Sequence, residues 1–404
     1  MINDKFKIGL VIGAGPAGLM AAEQLALAGL KVIIVDRKPS AARKFLMAGK
    51  SGLNLTKNEN VKSFLNNIFD TTGWLNPIID QFGPERVIEW VEGLGEDIFI
   101  GSSGRVFPRK MKASHILRSW FGRLDNLGVE LKTRWNWTGW ENNSLSFETP
   151  DGFVLIDPLV TVLALGGGSW PRLGSNGSWV ELLKEKSVAI EPLTASNVCI
   201  SINWSEKITP YIGTPLKNIA FGCGAYKSRG EAIITSQGFE GGGAYSMSSA
   251  IRSGQVLKLD LLPDLSELSI FERLKRRIPK MSLANHLRKS LRLDPVKISL
   301  LNEFARPLPT EISKLAFLIK NLIIKHDGLG PLDKAISSAG GVKSESFDSD
   351  LMLKSMPGVF VAGEMLNWDA PTGGYLINTC LATGRLAGKR AAEWAELNTA
   401  PAAL

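Results

Sequence analysis

Between Phe6 and Asp36 the chain reads as an apolar strand, a glycine turn, a helix over Pro16–Ala28 with small residues on one face, and a second, β-branched strand, KVIIVD. That order makes a βαβ unit. Parallel strands can be joined only by a crossover, so the unit implies a parallel sheet covered by helices. The turn is Gly13-Ala14-Gly15-Pro16-Ala17-Gly18. A lone GxGxxG carries little weight, but here the strand before it, the helix after it and the acid ending the next strand are all present. Gly13 permits the tight turn, Gly15 lets backbone approach a pyrophosphate, and Gly18 lets the helix lie close on the strand. The helix N-terminus offers free N–H groups and a partial positive charge. Asp36 is placed to accept from a ribose 2′-hydroxyl, and its charge repels a 2′-phosphate.

Such a turn does not choose between NAD and FAD; the far end of the chain does. Val359–Ala362 is a short apolar strand followed by Gly363-Glu364, a loop over Met365–Thr372, and Gly373-Gly374-Tyr375 opening a final helix from about Gly374 to Leu397. Flavoproteins of the glutathione-reductase type need a second site of this kind. An acidic residue after a strand binds the ribityl hydroxyls, and a helix N-terminus faces the flavin edge where negative charge gathers on reduction. A third cluster is the strand Leu159–Leu165 running into Gly166-Gly167-Gly168. It stands where such proteins pass the adenosine half of FAD.

These segments resemble the flavoproteins labelled NAD(FAD)-utilising dehydrogenases, a family similar to the bile-acid 3-dehydro-4,6-reductase and aminoacetone-oxidase-like flavoproteins. The likeness runs through GAGPAG at 13–18, Arg43-Lys44 with AGKSGLNLT at 48–56, GRVFP at 104–108 and LALGGGSWPRLGSNG at 163–177. It continues through GEAIIT with a following glycine at 230–238, SAGGV at 338–342 and AGEMLNWDAPTGGYLINTCLATG at 362–384. The resemblance implies an FAD domain interrupted by a β-barrel-like and helical insert, with Arg43, Lys44 and the 48–54 loop lying along the FAD pyrophosphate and isoalloxazine. The commoner family pattern has an Arg-Cys pair before the loop asparagine; here Gly52 and Leu53 precede Asn54, which implies a subgroup. The candidate cofactor contacts are therefore Gly13, Gly15, Pro16, Ala17, Gly18, Asp36 and Arg37 at one end. Arg43, Lys44, Gly49, Ser51, Asn54 and Gly166 follow in the middle, and Gly363, Glu364, Gly373, Gly374, Tyr375 and Leu376 at the other end.

The fold expected is α/β. A Rossmann-like FAD domain uses residues 1–189 and 331–404, with a β-rich insert at 190–265 and a basic helical insert at 266–330. The alternating stretch 129–156 predicts a small meander of strands. Hydrophobic residues at 44% and charged residues at 21% exclude a disordered chain, a coiled coil and a collagen. Three cysteines without Cys-x-x-Cys spacing and three histidines without His-x-x-x-His give no reason to expect a metal or a disulfide framework. A reducing, cytoplasmic setting is the simplest reading. No apolar run reaches the roughly 18–20 residues of a membrane span. The net charge of +8 is largely local, because nine basic residues lie between Glu272 and Lys297 against only two acids. Prolines 279 and 295 break this stretch into short helices and no aromatics interleave its cations, so it reads as a solvated face.

Cys380, Cys223 and the histidines His115, His286 and His326 read as core or surface residues rather than reactive ones. Arg105 is balanced between a substrate carboxylate and a structural ion pair, and Lys50 between the flavin and solvent. Trp368 and Asp369 stand in the loop where substrate-facing groups are expected. The function expected is an FAD-dependent oxidoreductase with non-covalent FAD, moving hydride through flavin N5 to or from a small organic substrate. No second GxGxxG exists, so NADH or NADPH, the candidate reductants, would bind directly at the flavin face. A flavin-dependent tRNA-modifying enzyme and a non-catalytic flavin-binding protein are the alternatives. The sequence assigns no catalytic acid or base.

Overall fold

The computed structural model describes residues 8–50, 52–276 and 281–399. Ser51, Arg277, Pro279, Lys280 and the opening of the first expected strand lie outside the described residues. The chain divides into two compact units, one made of both chain ends up to Thr194 and from Ser337, the other of Ala195–Ile336.

In the first unit, strand β1 (Ile8–Ile12) stands at the centre of a five-stranded sheet. The order is Val359–Val361, Val160–Leu163, β1, β2 (Lys31–Asp36), Glu130–Thr133. Every ladder is parallel. Strands covered on both faces need near-continuous apolar runs, which Leu10–Ile12 and Val32–Val35 supply, as does Val160–Leu163 apart from its buried Thr161. The register sets Ile12 beside Val35 and Leu163. The three strands therefore end level, and the glycine turn leaves β1 at the carboxyl edge of the sheet, where open α/β sheets take their ligands.

Helix α1 (Pro16–Leu27) packs along the final helix, Tyr375–Thr399, through small residues. A Cβ on Gly384 would lie 2.2 Å from the Ala17 carbonyl oxygen, and one on Gly388 would lie 2.4 Å from that of Ala21. Farther along α1, Glu23 is 3% exposed. Its carboxylate accepts from the Trp120 indole at 2.6 Å, the Trp90 indole at 3.4 Å and the Arg123 guanidinium at 3.0 Å. This fixes α1 to the helices Pro84–Gly93 and Ala113–Asn126.

The alternating stretch does not form one meander. Glu130–Thr133 joins the parallel sheet as the edge strand beside β2, and only Asn136–Glu141, Ser144–Thr149 and Gly152–Ile156 form the antiparallel meander. Period-two alternation marks a strand with one wet face in either setting, so it could not separate the two.

The second unit carries an antiparallel six-stranded sheet. Its order is Ile200–Ser201, Gly238–Glu240, Tyr226–Thr235, Pro215–Cys223, Leu257–Asp260, Leu322–Ile323. Four helices, Glu267–Leu274, Leu283–Leu291, Pro295–Ala305 and Ile312–Lys320, close over it. Phe221 and Phe239 from strands share one core with Ile270, Leu287 and Ile319 from helices. The strand expected from Asn197 begins only at Ile200, because Asn197 takes a left-handed conformation (φ 53°). Arg273, Lys275, Arg276, Arg288, Lys289 and Arg292 are exposed, in keeping with a solvated face. Lys297 is not: it is 4% exposed and donates to the carbonyls of Asn218 and Leu261. Among the described residues no helix is long and apolar enough to cross a membrane.

The helix contact makes a direct prediction. Gly388→Ala should lower the thermal unfolding midpoint, with a loss of about 1–3 kcal/mol from overpacking. Gly122→Ala, in a helix with nothing within 4 Å of the added carbon, should stabilise by roughly 0.4–1 kcal/mol. Equal midpoints for the two variants in differential scanning fluorimetry would remove the close packing from the account.

Candidate functional site

The three motif glycines have three different environments. Gly13 has φ 106°, and a Cβ there would meet the Ala164 oxygen at 2.2 Å. A Cβ on Gly18 would meet the Gly13 oxygen at 1.8 Å. The protein's own atoms therefore require glycine at both. A Cβ on Gly15 would have no atom within 4 Å, although Gly15 caps the start of α1. The space beside Gly15 is open to a ligand, and the first amides of α1 have no intrahelical partner.

Asp36 ties the turn to β2. Its Oδ2 accepts the Ala14 N–H at 3.1 Å and its Oδ1 accepts the Lys38 N–H at 2.8 Å. Burial pushes its pKa up, against the pull of these two amides and of the neighbouring Arg37 and Lys38 charges. Each oxygen keeps a lone pair for a further donor. The Arg37 guanidinium donates through Nη2 to the Pro171 carbonyl at 3.3 Å, while its Nε is buried without a partner.

A second group joins four chain segments. Lys44 Nζ donates to Glu364 Oε2 at 2.7 Å and to Ser169 Oγ at 2.8 Å. Glu364 Oε1 also accepts from the Ser338 N–H at 2.9 Å and the Ser338 hydroxyl at 3.3 Å. Desolvation would raise the Glu364 pKa, but the Lys44 charge, its hydrogen bond and the amides of Ser338 and Gly167 outweigh it and hold the carboxyl below its ordinary value. Gly166 (φ 69°) and Gly167 complete this group, with Trp179 Nε1 donating to the Gly166 oxygen at 2.9 Å. The two glycine motifs meet here, since a Cβ on Gly363 would lie 2.7 Å from the Ala17 Cβ.

A third group surrounds the start of the final helix. Gly374 (φ 106°) lies against the Thr56 backbone, 2.4 Å from where its Cβ would be. The Tyr375 phenol donates to Glu59 Oε1 at 2.8 Å and accepts from Lys57 Nζ at 3.0 Å. Lys57 in turn pairs with Glu59 at 2.9 Å. Burial, with the Glu59 carboxylate, pushes the Tyr375 pKa to about 12. Its hydroxyl is thus committed to protein partners, and what Tyr375 and Leu376 keep for a ligand is their position in the first helical turn. Asn54 stands in the loop before Thr56 with its buried Oδ1 unpartnered.

Other expected residues have structural duties. Gly49 is jammed against Ala113, 2.5 Å from Cβ to Cβ if it carried one. Arg43 opens the short helix Arg43–Ala48 and is half-buried. Trp368 and Asp369 do not face a substrate space: they are 3% and 6% exposed, and the Trp368 indole donates to the Gly363 oxygen at 2.9 Å. Burial pushes the Cys380 thiol to about 12, unsuited to a nucleophile. His286 is bonded to Leu274 O and Ser290 in the second unit's core. Among the described residues no group of three or more His, Cys, Asp or Glu is placed to hold a metal. Lys57 and Glu59 were not expected, and Ser169 and Ser338, though inside quoted motifs, were not named as contacts. The sequence assigned Lys57 and Glu59 no role, and only their contact with Tyr375 in space reveals them.

The HI0933-like protein Rossmann domain matches residues 8–390. The chain belongs to the HI0933-like family. The 3-dehydro-bile acid delta(4,6)-reductase of Clostridium scindens is 24% identical over 95% of this chain and 98% of that protein. The ribosomal RNA dihydrouridine synthase of Haemophilus influenzae is also 24% identical, over 91% of this chain and 94% of that protein. Among solved structures, the 3-ketosteroid delta1-dehydrogenase of Sterolibacterium denitrificans superposes with a TM-score of 0.51 at 12% identity, covering 98% of this chain and 100% of that one. The quinol fumarate reductase FrdA of E. coli gives 0.51 at 16% identity, covering 99% of this chain and 72% of that one. This HI0933-like protein shares the Rossmann-like fold of those enzymes.

The Lys44–Glu364 pair sets a pH response. A carboxyl depressed by folding adds stability above its unfolded pKa and loses it as pH falls through the folded value. The unfolding midpoint should therefore drop as pH falls from about 5 to about 3. Glu364→Gln should flatten that part of the curve in thermal melts across this range; an unchanged slope would mean that other carboxyls carry it.

Proposed function

We propose that this enzyme, an FAD-dependent oxidoreductase of the HI0933-like family, reduces a carbon–carbon double bond conjugated to a carbonyl. Gly15 carries the cofactor reading. Of the three motif glycines, it alone has no protein atom to explain it, and it opens onto the N-terminus of a 12-residue helix. A pyrophosphate fits there, with the α1 amides donating to it. Asp36 would take the adenosine ribose, using the lone pairs its two amide bonds leave free. Asn54, with a buried acceptor that lacks a partner, and the Gly373-Gly374 turn would flank the flavin. Lys44 and Glu364 would border the ribityl chain, with Glu364 offering fewer free lone pairs than an unpaired acid. When bound, FAD supplies a two-electron carrier able to pass hydride to carbon.

The relatives' names support this substrate class. A delta(4,6)-reductase acting on a 3-dehydro bile acid and a synthase making dihydrouridine both saturate an alkene activated by a carbonyl. The protein's share of such a step is to hold the alkene at the flavin face, exclude water and stabilise charge on the carbonyl oxygen. NADH or NADPH is the proposed reductant, bound in turn at the same face.

A second reading rests on the ribosomal RNA dihydrouridine synthases. The activated alkene would then be a uracil in RNA, with ribosomal rather than transfer RNA as the first candidate. The exposed cations Arg273, Lys275, Arg276, Arg288, Lys289 and Arg292 would meet its phosphates.

The purified protein should be yellow and release intact FAD on denaturation. Gly15→Val should fold with the wild-type melting profile yet lose most of its flavin, read by visible absorbance and mass spectrometry of the supernatant. Retained flavin in Gly15→Val, or FMN in place of FAD, would overturn the assignment. Anaerobic reduction by NADH or NADPH, followed by reoxidation with a steroidal enone or with unmodified ribosomal RNA, separates the two readings.

A further inference from the structure

We infer that Arg105 recognises an oxyanion of the substrate at the mouth of the flavin site. The inference rests on the flavin reading above for its meaning, and on geometry for its existence. Arg105 opens the strand Arg105–Pro108, which pairs antiparallel with Thr56–Lys57. The register sets Arg105 directly opposite Lys57. Two like charges facing each other across a ladder destabilise it unless something neutralises them.

Only one of the two is neutralised by the protein. Lys57 has Glu59 at 2.9 Å and the Tyr375 phenol at 3.0 Å. Glu59 is further engaged by the phenol O–H at 2.8 Å. The Arg105 guanidinium, on an exposed residue, has no acidic partner among the described residues. The structural ion pair that the sequence left open for it is absent among those residues. The cluster of Lys57, Glu59 and Arg105 therefore keeps one uncompensated positive charge.

That charge is aimed at the turn that opens the final helix. The Arg105 Nε lies 3.8 Å from the point a Cβ on Gly373 would occupy, beside Tyr375 ring carbons at 3.6 Å and 3.8 Å. Gly373 (φ 130°), which carries no side chain, thus stands beside a guanidinium that has no acidic partner among the described residues. A planar guanidinium offers paired N–H donors matched to a carboxylate and equally able to hold a single oxyanion. The oxyanion is either a fixed carboxylate on the substrate or the charge that develops on the carbonyl oxygen of an activated alkene.

Isothermal titration of the FAD-loaded protein with malonate and with 4-nitrophenolate tests this. Malonate stands for a fixed carboxylate and 4-nitrophenolate for an enolate. At least one should bind saturably to wild type, and Arg105→Gln should weaken it by about ten-fold or more, the loss expected for a charge-assisted pair. Arg105→Lys should recover part of the affinity. Arg86→Gln removes a charge from an exposed helical pair with Glu89 and should leave binding unchanged. No saturable binding of either probe to wild type, or equal affinity in Arg105→Gln, overturns the inference. A protein that carries no flavin would overturn the proposed function instead, and the same titrations would still decide the anion site.

Discussion

Backbone touches backbone where α1 meets the final helix, and the site depends on that contact. Gly384 and Gly388 admit the Ala17 and Ala21 carbonyls at distances that any side chain would forbid. The two helix N-termini belong to motifs far apart in the chain. The packing brings them to one edge of one sheet, where Gly363 lies against Ala17 and its N–H donates to the Thr383 hydroxyl at 3.0 Å. Behind them, the buried Glu23 carboxylate with its two indoles and one guanidinium holds α1 from the far side. A buried carboxylate stripped of such partners would be strongly destabilising, so α1 is fixed both by shape and by charge.

The two acids of the site are handled in opposite ways. Glu364 is supplied with a cation, a hydroxyl and amides by the protein itself, and its pKa goes down. Asp36 has two amides but no cation hydrogen-bonded to it, and burial wins. A buried carboxylate held in that condition gains from any further hydroxyl donor, which is the property a ribose site needs. The contrast also bears on Glu364: much of its accepting capacity is spent on Lys44 and Ser338, so it serves as much to join the loops at 44, 169, 338 and 364 as to receive a ligand.

Much of this was legible from residue type and order. The βαβ unit, the acid ending β2 and the second glycine motif each follow from local rules of turn, period and helix dipole, and the sheet and its carboxyl edge follow from them. What was not legible depends on partners distant in sequence. The Glu130–Thr133 strand alternates like its neighbours and differs only in which strand it joins. Tyr375 reads as a cofactor residue, and nothing local shows that Lys57 and Glu59 hold its hydroxyl. Trp368 reads as a loop aromatic until its indole is found under Gly363. Arg105 is the converse case: the sequence balanced it between a substrate carboxylate and an ion pair, and the ladder set it opposite another cation.

The order in which these parts leave the ribosome adds a constraint. The glycine turn, α1 and β2 are complete long before Val359–Val361 and the final helix exist. Until then α1 lacks the partner that its alanine stripe fits, Lys44 lacks Glu364, and the sheet lacks its edge strand. The second unit, which lies between these segments in the sequence, is synthesised before the packing of α1 can be completed. The glycine turn can therefore meet its packing partner only after the final helix has been made, and that helix acts as a latch on α1.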